Sequence, residues 1–279
     1  MELDQALNNL LSYLPAFPRE EITCIRQNKE EAIPKMLEFL QNFVKRETPF
    51  PKDYKDFSDP IFYMFLLAEF RVHEAFEPFI EILKFSEYDY DYFIGDKGED
   101  LASMIASVAT EDDIPKLKEN IENTELPDIQ RRKGLQILLI LYVQEMYERE
   151  DFFAYLNYLL EKILSDTDKL ENEEMITYLV FYCMLVCNDL RLDLFEKAVD
   201  DGRVDPFFMH YDDFYGIAKT PDEAFAQLKG KFPEERVRFI NDTVRETEWW
   251  HCFKNGNSSK FSTTGERKGQ LGFFLTAQS

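Results

Sequence analysis

The chain has 279 residues, 45% of them hydrophobic and 15% aromatic, which is ample material for a sizeable buried core, and its 31% charged content is that of a folded chain. A net charge of −22 repels nucleic-acid backbones and anionic membranes, so the natural complement of the main body is a neutral or basic protein partner. Ten glycines argue against a turn-rich all-β protein, and four scattered cysteines argue against a disulfide framework, which leaves the expectation of a helical protein in a reducing cytoplasm.

The start, MELDQALNNL, is acidic where a secretory signal would be basic, and no apolar run approaches the ~18 residues of a membrane span. From there a rhythm develops. Amphipathic segments begin near Glu30 (EEAIPKMLEFLQNF), Glu74 (within HEAFEPFIEILKF), Asp113 (DIPKLKENI), Asp151 (DFFAYLNYLLEKIL) and Arg191 (RLDLFEKAV), at spacings of 38 to 44 residues. In the second of these, Phe76, Phe79, Ile80 and Leu83 fall on one helical stripe. Ahead of the later four lies a more uniformly apolar segment: DPIFYMFLLAEF from Asp59, EDLASMIASVA from Glu99, RKGLQILLILYVQEMY from Arg132 and EEMITYLVFYCMLVC from Glu173.

A helix that is apolar all round must be buried, and an amphipathic partner covers it. Alternation of the two types at about 40 residues predicts an all-α, HEAT- or armadillo-like α-solenoid of stacked helix pairs with about five repeats. Asp59-Pro60 and Asp113-Ile114-Pro115 carry an acid and an early proline at helix starts, and Asp96 with Glu99 has capping-box spacing. Arg131 and Arg132, at a helix start, are expected to pair with an acid of a neighbouring repeat. The repeats are assigned to residues 1–216. Residues 217–252 are read as C-terminal capping helices, with Pro233 to Trp250 as one helix presenting Val237, Ile240, Val244 and Trp250 on one face. Residues 253–279 are read as a flexible polar tail. The last 29 residues carry Lys254, Lys260, Arg267 and Lys268 against Glu266 alone, a net of +3 that leaves −25 on the rest.

Few residues point to chemistry. In SEYDYDYFIGDKGED (Ser86 to Asp100), Asp89, Asp91 and Asp96 beside Gly95 suggest a calcium loop, but counting from Asp89 puts Phe93 at position five, Ile94 at six and Asp100 at twelve. The stretch is better read as a connection between helices, with Tyr88, Tyr90, Tyr92 and Phe93 over the edge of the stack. Tyr88, Asp89, Tyr90, Asp91 and Tyr92 form a candidate partner-binding ridge. Asp205, His210, Asp212 and Asp213, in the connection DPFFMHYDDFYG, are a second candidate surface and the best histidine–carboxylate cluster in the chain. They are the basis of an alternative reading as a metal-dependent hydrolase. Cys183 and Cys187 share a helical face among apolar residues and are expected to be buried free thiols, not metal ligands. His251 beside Cys252 has no further Cys or His near it, and His73 opens a covering helix as a surface or capping residue. There is no Walker loop, GxSxG elbow, HExxH or CxxC. No catalytic residue, metal site or cofactor is assigned.

The ordered blocks FYMFLLAEFR, AFEPFIEIL, FIGDKGEDLASMIASV, DDIPKLKENIEN, DGRVDPFF and WWHCF resemble bacterial domain-of-unknown-function family 1186 over roughly residues 1 to 253. That resemblance implies an all-helical, HEAT-like fold and no assigned activity, and it supplies no catalytic residues. Some relatives end in a cysteine-rich SEC-C zinc motif; here no cysteine follows Cys252. The expected function is a cytoplasmic protein-binding or scaffold module without catalytic activity.

Overall fold

The computed structural model describes residues 1–12, 14, 16–45, 58–93, 98–165, 173–186, 192–204, 220–230 and 237–254. Among the described residues every regular element is helical, so the all-α expectation holds. Three helices open the chain: α1 (Leu3–Leu10), α2 (Arg19–Gln27) and α3 (Lys29–Val44). Four pairs follow, each an apolar helix and its covering partner: α4 (Ile61–Glu69) with α5 (Phe76–Leu83), α7 (Gly98–Val108) with α8 (Ile114–Glu122), α9 (Asp128–Val143) with α10 (Arg149–Ser165), and α11 (Glu173–Leu185) with α12 (Leu192–Asp200). A short helix α6 (Glu87–Phe93) lies between the first two pairs, and α13 (Pro221–Gly230), α14 (Thr243–Thr247) and α15 (His251–Lys254) close the chain.

The two helix types differ in burial as their sequences require. All residues of α4 from Ile61 to Ala68 are buried, and so are Ile137 to Val143 in α9. In α8 only Leu117 and Ile121 are fully buried, with Ile114 partly buried against the core, as expected of an amphipathic cover. Each fully buried large side chain contributes about 1.5–3 kcal/mol, so the apolar helices carry most of the folding drive. They touch in chain order, α4 against α7, α7 against α9 and α9 against α11. The covering helices α3 and α5, then α10 and α12, also touch. At one crossing the Ile121 side chain of α8 lies directly on the backbone of Gly134 in α9: a Cβ added at Gly134 would lie 2.5 Å from Ile121 Cγ1. Glycine is the residue that permits that approach.

Helix ends show which punctuation was read correctly. Asp59 accepts a hydrogen bond from Ile61 N–H at 3.0 Å and caps α4 as expected. Asp113 acts differently. It reaches back to Thr110, accepting from the Thr110 N–H at 2.7 Å and hydroxyl at 2.9 Å, and completes a capping box around a 3₁₀ turn that leads into α8. His73, at the surface, lies 3.0 Å from the same Asp113 carboxylate. Asp96 lies outside the described residues.

The reading of Pro233 to Trp250 as one helix is overturned. Among its described residues, Val237 to Asp242 is non-helical and only Thr243–Thr247 forms a turn and a half of helix, capped by Asp242, which accepts from Val244 N–H at 3.0 Å. The physical reason is competition. The backbone groups of this segment bond to side chains of helices far earlier in the chain, as set out below.

Candidate functional site

The tyrosine–acid stretch forms a helix rather than a plain connection. Ser86 and Asp89 cap it: Asp89 N–H donates to Ser86 Oγ at 3.2 Å, and Ser86 Oγ–H donates to Asp89 Oδ2 at 2.9 Å. Helical geometry then separates the tyrosines that sequence grouped together. Tyr88 is 67% exposed, whereas Tyr90 and Phe93 are buried in the core. Tyr92, partly buried, stacks beside Tyr88 with ring centroids 6.4 Å apart. Of the expected ridge, Tyr88 presents an outer edge, Asp89 is partly buried, and Tyr90 faces inward. Asp91 belongs to α6, and its side chain is outside the description. Asp205, His210, Asp212 and Asp213 lie outside the described residues, so the second surface and the hydrolase reading find no placement. Among the described residues, no group of three or more His, Cys, Asp or Glu could hold a metal ion.

Cys183 is a buried free thiol, as expected, and Cys187 lies outside the described residues. Cys252 is exposed. Arg131 donates from Nε to Ile121 O at 2.8 Å, closing the end of α8, and pairs with Asp128 of its own helix at 2.9 Å. Arg132 bridges repeats through a ring: its guanidinium sits 4.3 Å from the centroid of Tyr178 in α11.

The most elaborate polar arrangement is one that sequence reading missed, a seam where residues 237–254 return to the first half of the molecule. Helix α13 leans on the end of α9, with Phe225 edge-on to Tyr142 at 5.2 Å and Arg149 paired to Asp222 at 2.6 Å. The chain then runs as a strap over α7, α4 and α2. Ile240 N–H donates to Ser107 Oγ of α7 at 2.7 Å. Arg71, just past α4, donates to Ile240 O and to Asn241 Oδ1, both at 2.6 Å. Thr243 N–H donates to Glu69 Oε2 at 2.7 Å. Arg26 of α2 grips Glu69 through two bonds of 2.8 and 2.7 Å, and reaches Asp242 at 2.6 Å. Trp250 packs against Phe62 and Phe65 with centroids 5.8 and 5.7 Å away, and Phe253 meets Phe17 at 5.3 Å.

Charges converge beneath this strap. Arg238 and Glu246 pair at 2.5 Å within it, Asp100 of α7 lies in their field, and Lys133 of α9 interacts in turn with Asp100. The Asp100 carboxyl is pushed up to about 7, first by burial and then by the Glu246 charge, with Arg238 and Lys133 opposing. The Lys133 ammonium is brought down to about 7, first by burial and then by Arg132, with Asp100 opposing. Burial also raises Asp242, but its hydrogen bond and charge contact with Arg26 outweigh this and leave the carboxyl below its usual range. Asp100 and Glu246 are each 6% exposed.

One signal for the seam was available: Asp100, Ser103 and Ser107 form a polar stripe along an otherwise buried helix, at intervals of three and four. No helix of the described residues is long and apolar enough to cross a membrane.

Comparison with known proteins agrees with the resemblance read from the sequence blocks. The family model "Protein of unknown function (DUF1186)" matches residues 1–254. Nothing among curated proteins or solved structures matches the chain. The chain belongs to the DUF1186 family.

Proposed function

We propose that this protein is a binding or scaffold module, built as a HEAT-like α-solenoid of about five stacked helix pairs and working in a reducing cytoplasm. The observation that carries the reading is the serial packing of α4, α7, α9 and α11, each apolar helix meeting the next in chain order. Such a stack offers long continuous faces, and holding other chains is what such faces do. The strap gives an internal example: a partly extended segment held by side chains of α2, α4 and α7 and by Arg71. Free thiols at Cys24, Cys183 and Cys252 are compatible with a reducing compartment. The net charge of −22 favours a neutral or basic partner.

Tyr88 on α6 is the residue through which the reading is tested. Its ring is the most exposed of the large apolar and aromatic side chains described, beside the capping carboxylate Asp89. Aromatic side chains with a polar tip recur as interface anchors. Affinity capture at low salt is expected to retain a stoichiometric protein partner with the wild type and to lose it with Tyr88→Ala, at unchanged melting temperature. Absence of any stoichiometric partner would remove the scaffold reading; equal retention by Tyr88→Ala would remove this surface. Tyr90 is unsuitable for the same test, because its ring is buried and its loss would unsettle the core.

A further inference from the structure

The strap is held in the way a protein holds an extended peptide. Three of its backbone groups bond to side chains of the stack: Ile240 N–H to Ser107, Ile240 O to Arg71, and Thr243 N–H to Glu69. Such bonds read no side chain, so selectivity is left to the buried Val237, Ile240 and Val244 and to Asp242 on Arg26. The bed beneath has fixing contacts of its own. Ser107 Oγ–H donates to Ser103 O at 2.6 Å, Arg71 donates to Ala68 O, and Arg26 grips Glu69. None of these contacts involves the strap, which is the property of a preorganised binding site.

The strap, by contrast, fits its bed imperfectly. Thr243 is fully buried, and its hydroxyl finds no hydrogen-bond partner among the described residues, which weakens the closed state. Closure also buries Glu246 in the field of the Asp100 carboxyl, although Arg238 pairs with it. We infer that the strap is a displaceable internal ligand, and that its bed on α2, α4 and α7 takes an extended segment of a partner protein in the same mode. That segment carries β-branched apolar residues at the places of Val237, Ile240, Thr243 and Val244, and a carboxylate at that of Asp242. This deepens the reading as a binding module and rests on it. A valine in the place of Thr243 removes the buried hydroxyl at nearly equal shape, so the bed prefers a ligand other than its own strap. Because the strap competes from within the chain, an outside segment meets the bed only in the fraction of molecules whose strap is open.

Two measurements on the full chain test this. The first needs no variant: in hydrogen exchange, the amides of Ile240 and Thr243 are expected to show protection factors at least about tenfold below that of Ile140 in α9, through local opening. Equal protection would mean that the strap leaves only when the molecule unfolds, and would overturn the proposal. The second is fluorescence anisotropy of a fluorescein-labelled peptide of residues 237–250, VRFINDTVRETEWW, and of its Thr243→Val form. In the protein, Ile240→Asp weakens the strap and leaves the bed unaltered; Ile240→Ala takes its place should the aspartate prevent folding. The peptide is expected to bind the variant at least about tenfold more tightly than wild type, and the valine form about fivefold more tightly again. No binding to the folded variant, or equal binding to both proteins, would overturn the proposal. Its failure is separable from that of the binding-module reading, because capture through Tyr88 is read with no peptide present.

Discussion

Arg71, Glu145 and Gly202 occupy one structural role, although only one of them is glycine. Each sits just past a helix with φ of 58°, 60° and 66° respectively, in the left-handed region. In each case the next residue's N–H reaches back to close a Schellman turn: Val72 to Leu67 O at 3.1 Å, Met146 to Leu141 O at 2.9 Å, and Arg203 to Ala198 O at 2.9 Å. Glycine takes this conformation freely, whereas Arg71 and Glu145 adopt it at a cost of about 1 kcal/mol. Arg71 has compensation, since its guanidinium holds Ile240 O and Asn241 and lies 4.9 Å from the Phe239 ring centroid. Glu145 has only an exposed pair with Lys229. Glu145→Gly is therefore expected to stabilise the protein by about 0.5–1 kcal/mol in urea denaturation, and Arg71→Gly is expected to destabilise it. Neither turn was legible in advance, because nothing in the local sequence at Arg71 or Glu145 advertises a positive φ. At Gly202, DGR did.

At the scale of elements, sequence and structure agree where burial alone decides. The apolar helices α4, α7, α9 and α11 and their amphipathic partners follow from periodicity, because each buries the face its pattern prescribes. The strap did not follow. Val237, Ile240 and Val244 have helical spacing and all three are buried, but Ile240 and Thr243 spend their N–H groups on helices more than 100 residues earlier, which a local pattern cannot encode. The same remoteness hid the candidate site, since no spacing rule links Arg26 to Asp242.

The seam has a testable acid–base consequence. Asp100 has a folded pKa of about 7, above its usual 3.8, so the folded state keeps its proton longer than the unfolded chain. The associated stability is full below pH ~4 and is lost as pH rises through about 7. Lys133 runs the other way: its folded pKa of about 7 lies below 10.5, so its stability is present above 10.5 and lost as pH falls through about 7. Together they make a local minimum in stability near neutrality. Asp100→Asn is expected to match wild type at pH 4 and to exceed it by on the order of 2 kcal/mol at pH 8. Lys133→Met is expected to remove the rise between pH 7 and 10.5. Denaturant unfolding across pH measures both, and a variant curve parallel to the wild type's would contradict the assignment.

Across the whole molecule, the strap joins parts that serial stacking would keep apart. In a chain of nearest-neighbour contacts, a lesion at one end is felt only locally. Here Trp250 packs on Phe62 and Phe65, and Arg26 ties α2 to both α4 and the strap. Trp250→Ala is expected to lower stability by about 2–3 kcal/mol. Hydrogen exchange should accelerate over residues 237–248 and α2, with α10 unaffected. Acceleration confined to the strap itself would mean that α2 stands without it.

The return of residue 250 to residues 62 and 65 also constrains synthesis. At roughly 5–20 residues per second, the aromatic face of α4 is made roughly 10–40 s before the tryptophan that covers it leaves the ribosome. For that interval a newly made half-molecule presents bare phenylalanine to the cell, and chaperone capture of chains stalled before Val237 should exceed that of the finished protein.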